Sequence, residues 1–249
     1  MISRKTILGL LFFIFLAGGR AHSQGLYWEQ TVTTSMTGKP HEMHTKGYLK
    51  PMKLKTVSDE ENRAVIIRSD KEVLYVINMK DKTYSEMTFK EFEGQMTKAN
   101  EQMKEMQENM KDMPPEQRKM MEGMMKGMMG KKEYEIKRMG EKKTIAGFSC
   151  EKVVMSEGDK EIGEFWVTKD VGSMKNYAKD WSKLMEKIAQ GPMAGMFRKL
   201  AELYGFVMES KVSGVTSTTT KLEKRSVGDS EFELPAGYDK VSAEKMGED

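Results

Sequence analysis

One cysteine, three histidines and six prolines in 249 residues exclude several classes of function. Cys150 has no second cysteine to bridge to, so the fold stands on its apolar core without covalent staples. Past residue 23 the only histidines are His41 and His44. Both lie beside Pro40 in what reads as a loop, where nothing would hold an imidazole for a Ser-His-Asp arrangement. His41-Glu42-Met43-His44 is one residue short of the zinc-protease pattern His-Glu-x-x-His, which needs two histidines four apart on a helix face. There is no Gly-x-Ser-x-Gly elbow, no phosphate-cradling glycine loop and no Cys-x-x-Cys pair. These absences point away from an enzyme. Long apolar runs are also lacking beyond the first residues, so no stable transmembrane anchor is expected.

What is present begins with an address. Arg4 and Lys5 precede an apolar run from Thr6 to Gly19, and Ala21-His22-Ser23 supplies small residues where a signal peptidase reads. The pattern predicts a signal peptide over 1–23, cleavage near Ser23-Gln24, and a periplasmic or secreted mature chain. No cysteine lies near that point to carry a lipid anchor. Loss of Arg4, Lys5 and Arg20 would bring the formal charge of +3 to neutrality, so nothing argues for a nucleic-acid partner.

The mature chain reads as strands interrupted by helices. Leu26, Trp28, Val32 and Met36 alternate, as do Met52, Leu54 and Thr56 against Lys53 and Lys55, which places the lysines on a wet face. Short apolar runs at 64–67 and 73–77, and a further strand at 83–87, follow at about ten-residue spacing, the mark of an antiparallel meander. At Thr88 the period changes. Thr88 with Glu91 forms a capping box, and Phe89, Phe92, Met96, Ala99, Met103, Met106, Met110 and Met113 recur at alternating intervals of three and four. Pro114-Pro115 stops this helix, and a softer one carries Met120, Met121, Met124, Met125, Met128 and Met129 between glycines. Strands resume at Glu133. A further helical stretch over 173–205 has Tyr177, Trp181, Leu184, Met185 and Ile188 as its stripe and Gly205 as its expected C-terminal cap. A hairpin around Gly214 and a short strand at Phe232-Glu233-Leu234-Pro235 close the chain.

The expected organisation is a single β domain over 24–241 with helical insertions at 88–130 and 173–205, and a flexible tail at 242–249. The fold class is α+β: a curved antiparallel half-barrel of about eleven strands, with the helical insertions covering its concave face.

The segment Thr144-Ile145-Ala146-Gly147-Phe148-Ser149-Cys150-Glu151-Lys152, followed by Glu164-Phe165-Trp166-Val167-Thr168-Lys169-Asp170, resembles the bacterial family known as domain of unknown function 4412. The closing Phe232-Glu233-Leu234-Pro235-Ala236-Gly237-Tyr238 fits the same family. That family is similar in architecture to the periplasmic lipoprotein carriers (LolA-like), and the stretch from Gly47 to Lys55 is similar to their second and third strands. The resemblance implies an eleven-stranded half-barrel closed by helices over an apolar cavity, and it implies no catalytic residue.

Function then turns on the 25 methionines. Methionine is flexible and polarisable and repacks around varied shapes. A Met-lined cavity with Met106, Met110, Met113, Met120 and Met124 as liners would hold an apolar ligand, either a lipid or an exposed hydrophobic protein segment, with no cofactor. A second reading uses thioether softness, which favours Cu(I) or Ag(I). Its ligands would be Met120, Met121, Met124 and Met125, with Met36, His41, Met43 and His44 as another group. A third is structural, a homodimer through the 89–113 helix. Cys150, Trp28 and Trp166 read as core residues.

Overall fold

The computed structural model describes residues 24–34, 40–109, 133–171 and 205–243, with the single positions 195, 199–200, 202–203 and 245. Twelve strands form one sheet: β1 Gln24–Thr34, β2 His41–Lys50, β3 Lys53–Ser58, β4 Arg63–Arg68, β5 Val73–Asn78, β6 Thr83–Thr88, β7 Tyr134–Ile145, β8 Phe148–Glu157, β9 Lys160–Thr168, β10 Phe206–Val212, β11 Val215–Ser226 and β12 Asp239–Lys240. One helix, α1 Phe89–Asn109, follows β6. The order across the sheet is β12-β6-β5-β4-β3-β2-β1-β11-β10-β9-β8-β7, so the sheet is open and its edges are β12 and β7. Every neighbouring pair is antiparallel except β12 with β6.

The meander from β3 to β6 repeats every ten residues, six of strand and four of turn. Met52, Asn62, Glu72 and Lys82 close successive turns in the left-handed region, with φ of 61°, 47°, 52° and 51°. A left-handed φ reverses the chain within four residues, but in non-glycine residues it crowds Cβ against the backbone. The first three of these carbonyls each accept a bond from an amide seventeen residues on: Ser69 to Met52, Met79 to Asn62 and Phe89 to Glu72, at 2.7–2.9 Å. Identical turn chemistry fixes an identical register, so the apolar alternation stays in phase across the meander.

The chain's last segment and Gly205 take different roles from those of a strand and a simple cap. About eleven strands were expected, with a terminal one at Phe232–Pro235; the described residues form twelve, and Asp229–Phe232 is a 3-10 turn rather than a strand. Phe232 is fully buried, while the acidic side chains around it reach cations on the sheet, and a turn satisfies both demands. Gly205 was expected to cap a helix whose adjoining residue lies outside the described ones. It also lets the chain approach β9, because a Cβ there would lie 2.5 Å from Val167 and 2.7 Å from the Thr168 carbonyl.

Of the helical insertions expected to cover the concave face, the described residues include α1 and a few positions of the second, and they do not establish such a cover. Thr88 and Glu91 form the expected capping box: the Thr88 amide donates to Glu91 at 2.7 Å, and the Glu91 amide to the Thr88 hydroxyl at 3.1 Å. The Thr88 amide and hydroxyl both donate to the Glu91 carboxylate and hold it below its ordinary pKa. The Met-rich stretch after Asn109, and most of the 173–205 insertion, lie outside the described residues. The end of the second insertion does pack: Leu200 and Leu203 meet a cluster of Tyr134, Val153, Met155, Phe165 and Val167.

Candidate apolar binding face

Strand register lines up one apolar row across six strands. Leu26 faces Leu49, Leu49 faces Leu54, Leu54 faces Ile67, Ile67 faces Leu74, and Leu74 faces Met87. At the usual strand spacing the row runs about 24 Å. Leu26 and Ile67 are buried, while Leu49, Leu54, Leu74 and Met87 keep partial exposure. The next register row on the same face runs Trp28, Gly47, Thr56, Val65 and Val76, with the Trp28 indole lying over Gly47. Phe89, the first residue of α1, is seated on Ile67, Leu54, Val65 and Leu74. Phe92 is half-buried, and the other described side chains of α1 are exposed. The first turn of the helix is therefore rooted on the apolar row.

The opposite face of these strands has a different cover. Residues 227–241, a C-terminal strap, lay Val227, Phe232, Leu234 and Tyr238 over Tyr48, Ala64, Ile66, Tyr75, Ile77 and Tyr84. Lys53 and Lys55, expected to face water, point into this interface. Lys50 and Lys53 both reach Asp229, at 3.0 and 2.8 Å, and Lys55 reaches Glu231 at 3.0 Å. Arg68, only 4% exposed, bonds Asp70, Glu233 and the Phe232 carbonyl. The two lysines hold the Asp229 carboxyl down at about 2, and Arg68 lowers Asp70.

The candidate residues taken from the sequence separate. Met106 belongs to α1, with its side chain outside the described residues, and Met36, Met110, Met113, Met120, Met121, Met124 and Met125 lie outside them altogether. His41, Met43 and His44 do not form a loop; they begin β2. Pairing with Thr34, Val32 and Thr31 imposes a two-residue period, which puts His41 and Met43 on one face and His44 on the other. The His44 ring is held by Glu60 at 2.8 Å, with Glu42 at 3.6 Å. A single N,S site from all three is not assembled. Among the described residues no group of three His, Cys, Asp or Glu side chains is placed to hold a metal ion.

Cys150, Trp28 and Trp166 are buried, as expected. Burial pushes the Cys150 thiol above its ordinary pKa, and it donates to the Phe148 carbonyl at 3.3 Å. Trp166 lies under the Lys143 ammonium at 4.2 Å and donates from its indole to Glu164 at 2.9 Å. What sequence reasoning missed is the row itself. Its members are ordinary core residues, and only the fixed ten-residue period could have shown that they align.

An open, twelve-stranded, almost wholly antiparallel sheet, strapped on one face and carrying an apolar row on the other, defines the class of protein. Residues 96–238 match the model of Domain of unknown function (DUF4412), and the chain belongs to that family. No curated protein matches it in sequence. Solved structures similar to it include PNGF-II, at 14% identity and a TM-score of 0.39, covering 89% of this chain and 32% of that one. A chain of the Pseudomonas aeruginosa MucA/MucB complex is 8% identical with a TM-score of 0.41, covering 88% of this chain and 59% of that one. The LolA superfamily protein NE2245 from Nitrosomonas europaea is 6% identical with a TM-score of 0.29, covering 84% of this chain and 90% of that one. The chain thus spans about a third of PNGF-II. No helix among the described residues is long and apolar enough to cross a membrane.

Proposed function

We propose that this chain is an exported, non-catalytic binding protein that holds an apolar ligand, a lipid or a hydrophobic protein segment, against the row from Leu49 to Met87. The supporting observation is that four of the row's six side chains keep partial exposure while the other face of the same strands is capped by the strap. Half-exposed aliphatic side chains aligned over several strands are costly in water, and a bound apolar partner removes that cost. In this reading α1, rooted through Phe89, forms one wall, and Met106, Met110, Met113, Met120 and Met124 line the rest. Protein purified from its natural compartment then carries lipid or peptide that an organic extract releases for mass spectrometry. Leu74→Asp abolishes that cargo while leaving the far-UV spectrum unchanged. Cargo-free protein from repeated native preparations would overturn the reading. Replacing Met120, Met121, Met124 and Met125 together by Leu preserves apolar binding. Cu(I) uptake by the parent chain that this change abolishes would favour the metal reading instead.

A further inference from the structure

The strap is bound to the sheet in an unusual manner for a core element. Between Gly228 and Tyr238 it shares no strand pairing with the sheet, and its 3-10 turn bonds to itself, Glu231 to Gly228 and Glu233 to Ser230. Side chains hold it. Asp229 takes Lys50 and Lys53, Glu231 takes Lys55, and Glu233 takes Arg68 and Lys71, with Phe232 driven between them into the core. Backbone-to-backbone bonds to the sheet come at its far end, where Asp239 and Val241 donate to the carbonyls of Lys82 and Tyr84.

The surface beneath is specific in what it accepts. Lys50 and Arg68 are 6% and 4% exposed. If the strap lifts, Lys50 loses Asp229, and Arg68 keeps Asp70 but loses Glu233 and the Phe232 carbonyl, bonds that an apolar occupant cannot replace. A replacement must bring carboxylates at alternate positions and an aromatic ring between the second and third. The Arg68 bond to the Phe232 carbonyl, at 3.2 Å, is to main chain and would accept any residue at that place.

We propose that this surface is a recognition groove for segments of the pattern acid-x-acid-aromatic-acid that take up a 3-10 turn on it, and that residues 229–233 are its resident occupant, which a competing segment in trans displaces. The partner class is an acidic, aromatic-bearing peptide stretch that docks by charge and ring and then adds as a short strand beside β6. The site lies on the opposite face from the apolar row, so it stands or falls independently of the reading above.

The probe is a fluorescein-labelled peptide of residues 227–241 added to the full-length chain. Phe232→Ala empties the ring pocket of the resident strap, and the peptide then binds at least about tenfold more tightly than to the parent chain, because cis competition is weakened. The same peptide carrying Asn or Gln at positions 229, 231 and 233 binds at least about tenfold more weakly and loses its salt dependence. Should Phe232→Ala not fold, the pair Asp229→Lys and Glu231→Lys opposes the groove lysines with like charge and leaves the ring intact. Absence of peptide binding to a folded variant, or equal binding to parent and variants, overturns the proposal. Hydrogen exchange on the parent chain gives a second decision. The Asp239 and Val241 amides exchange through an opening that leaves β3–β5 protected, and exchange only by global unfolding would rule out a displaceable strap.

Discussion

The amide of Asp239 donates to the carbonyl of Lys82 at 2.9 Å, occupying the place that Phe89 takes at Glu72 and Met79 at Asn62. In the ten-residue meander, each turn carbonyl is satisfied by the chain returning after the next two strands. Lys82 has no such successor, because α1 begins at Phe89. The C-terminal strand supplies the missing donor and covers part of the β6 edge, which would otherwise offer unpaired backbone to another molecule. Asp239→Pro removes the donor and the pairing. The expected outcome is a stability loss of about 1 kcal/mol in urea unfolding, together with a rise in light scattering at high concentration. An unchanged unfolding midpoint would show that β12 contributes nothing to the meander.

Lys82 is exposed and left-handed at φ 51°, and its carbonyl, the group that matters, belongs to the backbone. Lys82→Gly relieves the crowding of Cβ, while glycine costs entropy in the unfolded chain. The expected balance is a gain of up to about 1 kcal/mol. Lys82→Ala, which keeps the Cβ, is the control and gains nothing. Thermal unfolding of the three proteins decides it.

Phe232 is the largest fully buried side chain among the described residues. It joins Ala64, Ile66, Ile77 and Val227, with Tyr48, Tyr75 and Tyr84 around them. Phe232→Ala is expected to cost about 3–5 kcal/mol, read as a fall in the urea midpoint. Phe232→Leu, which keeps most of the volume, costs far less. Similar losses from both changes would mean that ring shape, rather than filled volume, matters here.

Gly47 faces Trp28 across β1 and β2, and a Cβ at Gly47 would lie 2.0 Å from two atoms of the indole. The clash is with a rigid ring that Phe206 also meets edge-on, at 5.5 Å between ring centroids. Gly47→Ala therefore displaces the indole, at a cost of about 1–3 kcal/mol, and shifts tryptophan emission to the red. Trp28→Leu in the same background restores part of the stability, since the obstruction is gone.

The meander, the capping box and the burial of Cys150 and both described tryptophans were legible in the sequence because each rests on local spacing. The role of Lys53 and Lys55 was not. Alternation placed them on the face away from Leu54, which is correct, but no local rule shows that a segment 176 residues later returns to cover that face. His41 to His44 misled for a related reason. A proline and two histidines look like a loop, yet pairing with Thr31–Thr34 across β1 overrides the local preference. The apolar row needed register, which sequence specifies only once the turns are known to repeat.

Asp229 links the strap to acidity. Lys50 and Lys53 hold its carboxyl at about 2 in the folded chain, against about 3.9 for an unperturbed aspartate. A folded-state pKa below the unfolded value means that the unfolded chain binds protons first as the pH falls. The stabilisation is therefore fully present above pH 4 and is lost progressively as the pH drops toward 2. Glu233 and Asp70, both lowered chiefly among their favourable contacts by Arg68, push in the same direction. Asp229 is well exposed, so salt screens its pairs and weakens the effect. Urea midpoints measured from pH 5 to pH 2 should fall more steeply in the parent than in Asp229→Asn, whose side chain cannot titrate. Parallel curves for the two proteins would show that the strap's acid sensitivity resides elsewhere, in the carboxylates around Arg68.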